Sequence, residues 1–322
     1  MNPNHSTPTR LESPDRLRQS GSGDVAGAPA RPSSLYSARL WRLGRSLAGV
    51  VPHKAAVKLA QGFSAVYATL GSNRRETVVR NLLPVLDGDI VAARRAAARL
   101  YRNFAHKLVD LWRYEAGKSI AGMFQEWTGW EHMIAARKTG RGILLLTPHL
   151  GNWEFGAPLL SERGIDLLVI TLEEPQERLT EMRRTARAGW GIETLVIGSD
   201  PFAFVEVLRR LEAGAVVALL IDRPPPATSI PVELFGREFY ASVAAAELAR
   251  ASGCVLLPVY LPLTGRGYAA HILPETPYDR QSLRYPEARR VLTQQIVRAF
   301  EPVIRQHPDQ WYHFVPIWPA HA

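Results

Sequence analysis

The run Thr147-Pro148-His149-Leu150-Gly151-Asn152-Trp153-Glu154 is where side chains of this sequence are spaced for chemistry. The apolar stretch 143–147 has the length and composition of a buried strand, and it stops at Pro148. His149 follows in the turn, Gly151 lets the chain reverse tightly, and Asn152 has a side chain suited to a helix N-cap. Glu154 then falls in the first helical turn, from which its carboxylate can return to the His149 imidazole. A carboxylate on one ring nitrogen fixes the tautomer and leaves the other nitrogen free as a base. The helix N-terminus also favours an ionised glutamate. The pair has no nucleophile of its own, so the attacking group must come from a substrate. A hydroxyl deprotonated by His149 and attacking a thioester fits that logic. The same spacing also suits a strand-end histidine followed by an exposed first-turn glutamate, and spacing alone does not separate the two. A zinc helix of the common kind needs two histidines four apart. No second histidine stands near His149, so no metal and no resident cofactor is expected.

A second run, Leu219-Leu220-Ile221-Asp222-Arg223-Pro224, ends another apolar stretch with charged residues. Ligands of open α/β sheets bind beyond the carboxyl ends of the strands, which makes Asp222 and Arg223 candidates. Asp222 is equally suited to closing a turn before the stiff Pro224-Pro225-Pro226 run. Arg178, Arg183, Arg184 and Arg187 stud the segment 175–188, either as a solvated helix face or as anion-binding groups.

Elements that must position these residues follow from periodicity. From residue 140 onward short apolar runs alternate with helical stretches. Strands are predicted over 143–147, 167–171, 193–197, 215–221, 255–260 and 268–273. Helices are predicted over 152–163, 175–188, 201–212, 241–252 and 286–306. This alternation implies an α/β fold with a largely parallel sheet, mixed at an edge and flanked by helices. Upstream, Leu100, Phe104, Leu108, Leu111 and Trp112 recur three and four apart within a helix over 90–115, whose other faces carry Arg94, Arg95, Arg99 and Arg102. The region 40–70 reads as amphipathic helix, lying on a membrane surface or packing on the domain. The longest uncharged stretch there, 59–73, is shorter than the roughly 18–20 apolar residues of a membrane span.

The 322 residues are 46% hydrophobic, which excludes global disorder. The formal charge of +9 suits an acidic partner: a phospholipid headgroup, an acidic carrier protein or a nucleic acid. A single cysteine, Cys254, lies in an apolar run, so no disulfide framework forms within the chain. Residues 1–37 are rich in Pro, Ser, Gly and Arg and lack the apolar core of a signal peptide, which implies a disordered polar tail and a cytoplasmic catalytic part. The domain reading is therefore a tail over 1–37, a helical membrane-associating region over 38–118 and an α/β domain over 119–322.

The string His149-Leu-Gly-Asn-Trp-Glu154 resembles the HX4D/E motif of the lysophospholipid acyltransferase superfamily, and within it the H-x-G-N-W-E of the lipid A biosynthesis (lauroyl/myristoyl) acyltransferases. Three further blocks resemble that family in the same order: the arginine stretch 175–187, Ile221-Asp-Arg-Pro224 followed by Val232-Glu-Leu-Phe-Gly236, and Pro308-Asp-Gln-Trp-Tyr-His-Phe314. The resemblance covers about residues 40–318 and implies a glycerolphosphate-acyltransferase-like fold with N-terminal amphipathic helices. It implies His149 as general base and Glu154 as its orienting partner. Asn152 and Trp153 would shape the floor of the site. Asp222, Arg223 and one arginine of the stretch, with Arg183 or Arg184 fitting best, would hold substrate.

The implied co-substrate is an acyl thioester on acyl carrier protein or coenzyme A. The implied acceptor is a hydroxyl of a membrane glycolipid such as a lipid A precursor, at the cytoplasmic face of the inner membrane. A lysophospholipid, an ornithine lipid or a mannosylated phosphoinositide is an alternative acceptor. Backbone N–H groups near Gly151, or a basic residue, would stabilise the oxyanion. A hydrolase would need an enzyme nucleophile, and the α/β region has no Gly-x-Ser-x-Gly. Nucleic acid is not expected, because no glycine-rich phosphate loop, zinc-finger spacing or aromatic-basic RNA motif occurs.

Overall fold

The computed structural model describes residues 37–172, 177–197, 202–225 and 228–319. The polar tail lies outside them apart from Ser37, as do Pro175, Pro201 and Pro226 of the predicted segments. The chain begins with α1 (Ala38–Val50), capped by the Ser37 hydroxyl, and α2 (His53–Leu70). The expected single amphipathic stretch is thus two helices. Pro52 pushes Val51 into an extended conformation and separates them. α3 (Ser72–Leu82) leads to the long α4 (Ile90–Glu115), whose N-cap Asp89 accepts from Val91 N–H and Ala92 N–H. α4 coincides with the predicted helix.

Next come β1 (Phe124–Thr128), α5 (Trp130–Lys138), β2 (Ile143–Thr147), α6 (Gly156–Ser161), β3 (Leu167–Leu172), α7 (Glu177–Ala188), β4 (Glu193–Ile197), α8 (Ala203–Glu212) and β5 (Val216–Leu220). After these stand β6 (Ser229–Leu234), β7 (Arg237–Ser242), α9 (Ala244–Ser252), β8 (Val255–Tyr260), β9 (Leu263–Thr264), β10 (Gly267–Ile272), α10 (Pro286–Arg298) and α11 (Glu301–Gln306). The main sheet runs β1-β10-β8-β2-β5-β3-β4, with β9 paired to β10. Its pairs are parallel except where β10 meets β8 and β9. This is the expected largely parallel sheet, mixed towards one edge and flanked by helices. β2 lies between β8 and β5, and all five of its residues are buried, which is why it reads as a continuous apolar run.

Three elements differ from expectation. The predicted helix over 152–163 is a single 3-10 turn, Trp153–Phe155, followed by the short α6. The predicted helix over 286–306 breaks into α10 and α11, because Pro302 cannot donate the hydrogen bond that would carry α10 onward. The predicted helix over 241–252 starts late: Ala241 and Ser242 end β7 of a separate hairpin. That hairpin turns at Phe235 (φ 52°) and Gly236 (φ 70°), a two-residue turn with both central residues left-handed. β1 and α5 were not expected at all. One core cluster joins Val78, Leu100 and Tyr101 of the N-terminal helices to Leu144, Leu256 and Trp311, so these helices pack on the sheet domain. Among the described residues, no helix is long and apolar enough to cross a membrane.

Candidate active site

Strand register brings the central pair together. β2 and β5 are parallel neighbours, and Thr147 stands opposite Leu220. His149 and Asp222 each lie two residues beyond that last pair, at the carboxyl edge of the sheet. His149 Nδ1 is 2.6 Å from Asp222 Oδ1, and His149 N–H donates to Oδ2 at 2.9 Å. Gly151 makes the local path possible. Its φ is +63°, and a Cβ there would collide with the Leu261 carbonyl oxygen that follows β8. Asn152 N–H donates to that same carbonyl at 2.8 Å.

The chain end closes the site. Leu150 and Trp311 form an antiparallel bridge, Tyr312 N–H donates to His149 O at 2.8 Å, and Gly151 N–H donates to Gln310 O at 3.0 Å. This places Trp311 Nε1 and His313 Nε2 each 2.9 Å from Asp222 Oδ2. The buried Asp222 carboxylate therefore accepts three bonds on Oδ2 and one on Oδ1. Burial works against its charge, but His149 and His313 with their hydrogen bonds hold it well below the usual carboxylate range. An ionised carboxylate only accepts, so each histidine presents an N–H to it. His313 then carries its proton on Nε2 and offers Nδ1 to Arg223 Nε at 3.4 Å. His149 carries its proton on Nδ1, and Nε2 keeps a lone pair to which no described residue bonds. Burial, followed by the Arg223 charge, pushes the His149 pKa down to about 4 against the upward pull of Asp222. His149 is thus a neutral, oriented base at neutral pH.

Glu154 points elsewhere. Its Oε1 accepts from Arg183 Nη2, and its Oε2 accepts from Arg187 Nη2 at 2.8 Å. All three side chains are nearly enclosed. Burial alone would raise the Glu154 pKa, but Arg183, Arg187 and Lys107 together outweigh it and hold the carboxyl far below its usual range. The Arg183 guanidinium also lies 5.3 Å from the Trp41 ring centroid, and Trp41 Nε1 donates to Glu115 at 2.7 Å. Glu154 thus ties the floor of the site to α7 and, through Arg183, to α1.

The carboxylate on His149 is therefore Asp222 and not, as spacing suggested, Glu154, which binds arginines. Four residues of tight turn and 3-10 helix turn Glu154 towards α7, while the β2–β5 register delivers Asp222. Of the two preferred arginines, Arg183 reaches the site. Arg184, turned to solvent on α7, is paired with Glu181 at 3.1 Å. Asn152 is fully buried and makes no capping hydrogen bond. The Trp153 ring lies beside His149, with ring centroids 5.0 Å apart. The N–H groups of Leu150, Gly151 and Asn152 are all spent on backbone carbonyls, so they do not form the expected oxyanion hole.

Arg187, one of the four arginines the sequence offers, joins Arg183 on Glu154. Three residues escaped the sequence reading. Trp311 and His313 sit in a segment noted only for its resemblance. Lys107 lies on the buried face of α4, its Nζ 2.8 Å from the centroid of the Trp153 ring and with no described hydrogen bond. Burial drives its pKa down, against the pull of Glu154. Its signal was a lysine within the apolar stripe of α4. No Ser, Thr or Cys bonds to the His149 ring among the described residues, and Cys254 lies at the amino end of β8, away from the carboxyl edge of the sheet.

The chain is similar to the phosphatidylinositol mannoside acyltransferase of Mycobacterium tuberculosis (strain CDC 1551 / Oshkosh), 28% identical over 193 residues, 60% of this chain and 59% of that protein. It is 25% identical over 191 residues to the protein of that name from Mycolicibacterium smegmatis (strain ATCC 700084 / mc(2)155), covering 59% of this chain and 61% of that one. The match thus spans about 60% of the length of these curated relatives. Residues 35–319 match the bacterial lipid A biosynthesis acyltransferase family from end to end of the described fold, and the chain belongs to that family.

Proposed function

We propose that this protein transfers a fatty acyl group from an acyl thioester to a sugar hydroxyl of a membrane glycolipid, with His149 as general base. The observation that carries this reading is the His149–Asp222 pair, with no described residue bonded to Nε2 and no nucleophilic side chain on the ring among the described residues. Nε2 takes the proton of the acceptor hydroxyl as its oxygen attacks the thioester carbonyl. The tetrahedral intermediate then expels the thiolate, which recovers the proton from His149. Asp222 holds the tautomer and stabilises the imidazolium that forms in between. Lys107, whose Nζ lies against the Trp153 ring and has no described hydrogen bond, is assigned to the developing oxyanion in its protonated form. Arg223, fixed by Tyr312 O and His313, lines the same edge and suits a phosphate of the substrate. The reaction needs no metal.

The donor is an acyl carrier protein or coenzyme A thioester, either of which the net positive charge would attract. The acceptor is a lipid A precursor or a similar glycolipid. The names of the curated relatives favour a second reading, a mannosylated phosphoinositide. Access to such lipids is provided by two exposed apolar stripes. Leu43, Leu47 and Val50 project from α1, and Leu59, Phe63, Val66 and Leu70 from α2. Arg39, Arg42, Arg45, Lys54 and Lys58 are exposed on the same two helices. Helices of this kind lie in the interface of an anionic bilayer, here the cytoplasmic face of the inner membrane. The test is incubation with acyl carrier protein and coenzyme A thioesters against a panel of lipids, read by mass spectrometry. One acyl mass added to a glycolipid supports the proposal. Free fatty acid as the only product would make the protein a hydrolase instead.

A further inference from the structure

A second cluster of chemistry-bearing side chains lies apart from His149. His53 is the first residue of α2, and His106 and Asp110 stand one turn apart on α4. His53 Nε2 lies 2.6 Å from Asp110 Oδ1, and His106 Nε2 lies 3.4 Å from Asp110 Oδ2. One donor atom from each of the three residues falls within 4.8 Å of the other two. The ring centroids of His53 and His106 lie 5.9 Å apart, with the rings tilted by 46°.

We infer that His53, His106 and Asp110 form a binding site for a borderline divalent cation of the zinc class. Two imidazoles and one carboxylate are the donor set such ions select, whereas magnesium and calcium favour all-oxygen shells. Ligand atoms about 2.0–2.2 Å from a common ion lie roughly 3.3 Å apart in a tetrahedron. The observed separations bracket that spacing, so side-chain rotation suffices to close the shell. The outer shell is also in place. The Tyr268 hydroxyl donates to Asp110 Oδ2 at 2.6 Å and fixes the carboxylate from β10. The Asp110 side chain is wholly buried, and a cation would offset the cost of enclosing its charge. His53 and His106 keep 39% and 21% of their side-chain surface exposed, which leaves an entry path and room for a water ligand. The role is that of a clamp. The ion joins the start of α2, with its exposed apolar stripe, to α4 and β10, and its ligand His106 adjoins Lys107 in sequence.

The site is tested on tag-free, full-length protein stripped with a chelator and titrated with zinc chloride. Bound metal is read by elemental analysis and calorimetry, and cobalt(II) substitution by its visible spectrum. One equivalent of zinc is expected, with a tetrahedral cobalt spectrum. His53→Ala and His106→Ala should each weaken binding by at least about tenfold, and Tyr268→Phe by about 10–100-fold. Binding should persist in His149→Ala and His313→Ala. Circular dichroism verifies folding; His53 is half-exposed, so its variant tests the site even if a buried variant fails to fold. Absence of stoichiometric binding overturns the inference and leaves the cluster a hydrogen-bond network. So does binding that survives both His53→Ala and His106→Ala, or that is lost in His149→Ala.

Discussion

Asp222→Asn should disable the site by moving one proton. The substitution keeps the shape of the side chain but turns one of its two acceptors into a donor. Oδ2 faces three N–H groups, from His149 N, Trp311 Nε1 and His313 Nε2, whereas Oδ1 faces only His149 Nδ1. The amide oxygen will take the three-donor side, because an NH2 group there would oppose three donors in a buried site. The amide NH2 then points at Nδ1, which must accept. The imidazole proton moves to Nε2, the nitrogen that has to act as base. A general-base histidine in the wrong tautomer loses about 10³–10⁴-fold in kcat, or about 4–5.5 kcal/mol of transition-state stabilisation at about 1.36 kcal/mol per tenfold. Initial rates of acyl transfer measure the loss, and ¹⁵N NMR of the labelled imidazole reports the tautomer. A variant within about tenfold of wild type, with the proton still on Nδ1, would refute this reasoning.

Glu154→Gln should act mainly on stability. Removing the charge between Arg183 and Arg187 breaks a nearly enclosed ion-pair cluster, a loss of about 3–5 kcal/mol visible as a lower denaturation midpoint. A fall in kcat as deep as that of Asp222→Asn, without destabilisation, would return Glu154 to the role of partner to His149. With its pKa pushed down to about 4, His149 should set an acidic limb of kcat/KM near that pH, with activity level through neutrality. A midpoint near the ordinary 6.5 would contradict the buried environment of the ring. Stability runs the same way. The unfolded imidazole takes a proton below about 6.5 that the folded one refuses until about 4, so folded stability drains over that window as pH falls. The depressed carboxyls of Glu154 and Asp222 add losses at still lower pH. Lys107→Met should lower kcat by about 10²–10³-fold if its ammonium meets the oxyanion, with folding unharmed because a buried charge is removed. Unchanged kcat would remove Lys107 from the mechanism.

The parts of the fold legible in the sequence are those written as buried periodicity. β2 and β8 are sealed on both faces and read as unbroken apolar runs, and α4 carries its buried stripe from Ala93 to Leu111, about five turns. β1, Phe-Gln-Glu-Trp-Thr, is mostly solvated and has no such signature. The breaks at Pro52 and Pro302 depend on single residues inside otherwise helical patterns. At the site, both strand ends were legible as separate points of interest. Their pairing was not, because His149 and Asp222 are 73 residues apart and meet only through the β2–β5 crossover. Local spacing instead favoured Glu154, a carboxylate near in sequence but turned towards α7. Trp311 and His313 reach Asp222 from the last strand-like segment, a contact that no periodicity encodes. His53 likewise joins His106 and Asp110 only when α2 packs along α4.

The central claim is that His149 activates the acceptor hydroxyl and that the enzyme supplies no nucleophile. It is tested most directly by the rate of acyl transfer to the identified glycolipid in His149→Ala, with intact-protein mass spectrometry of both forms during turnover. The account predicts near-complete loss of transfer in a folded variant and no acylated protein in either form. Wild-type-like transfer by His149→Ala, or an acyl adduct on the wild-type chain, would contradict it.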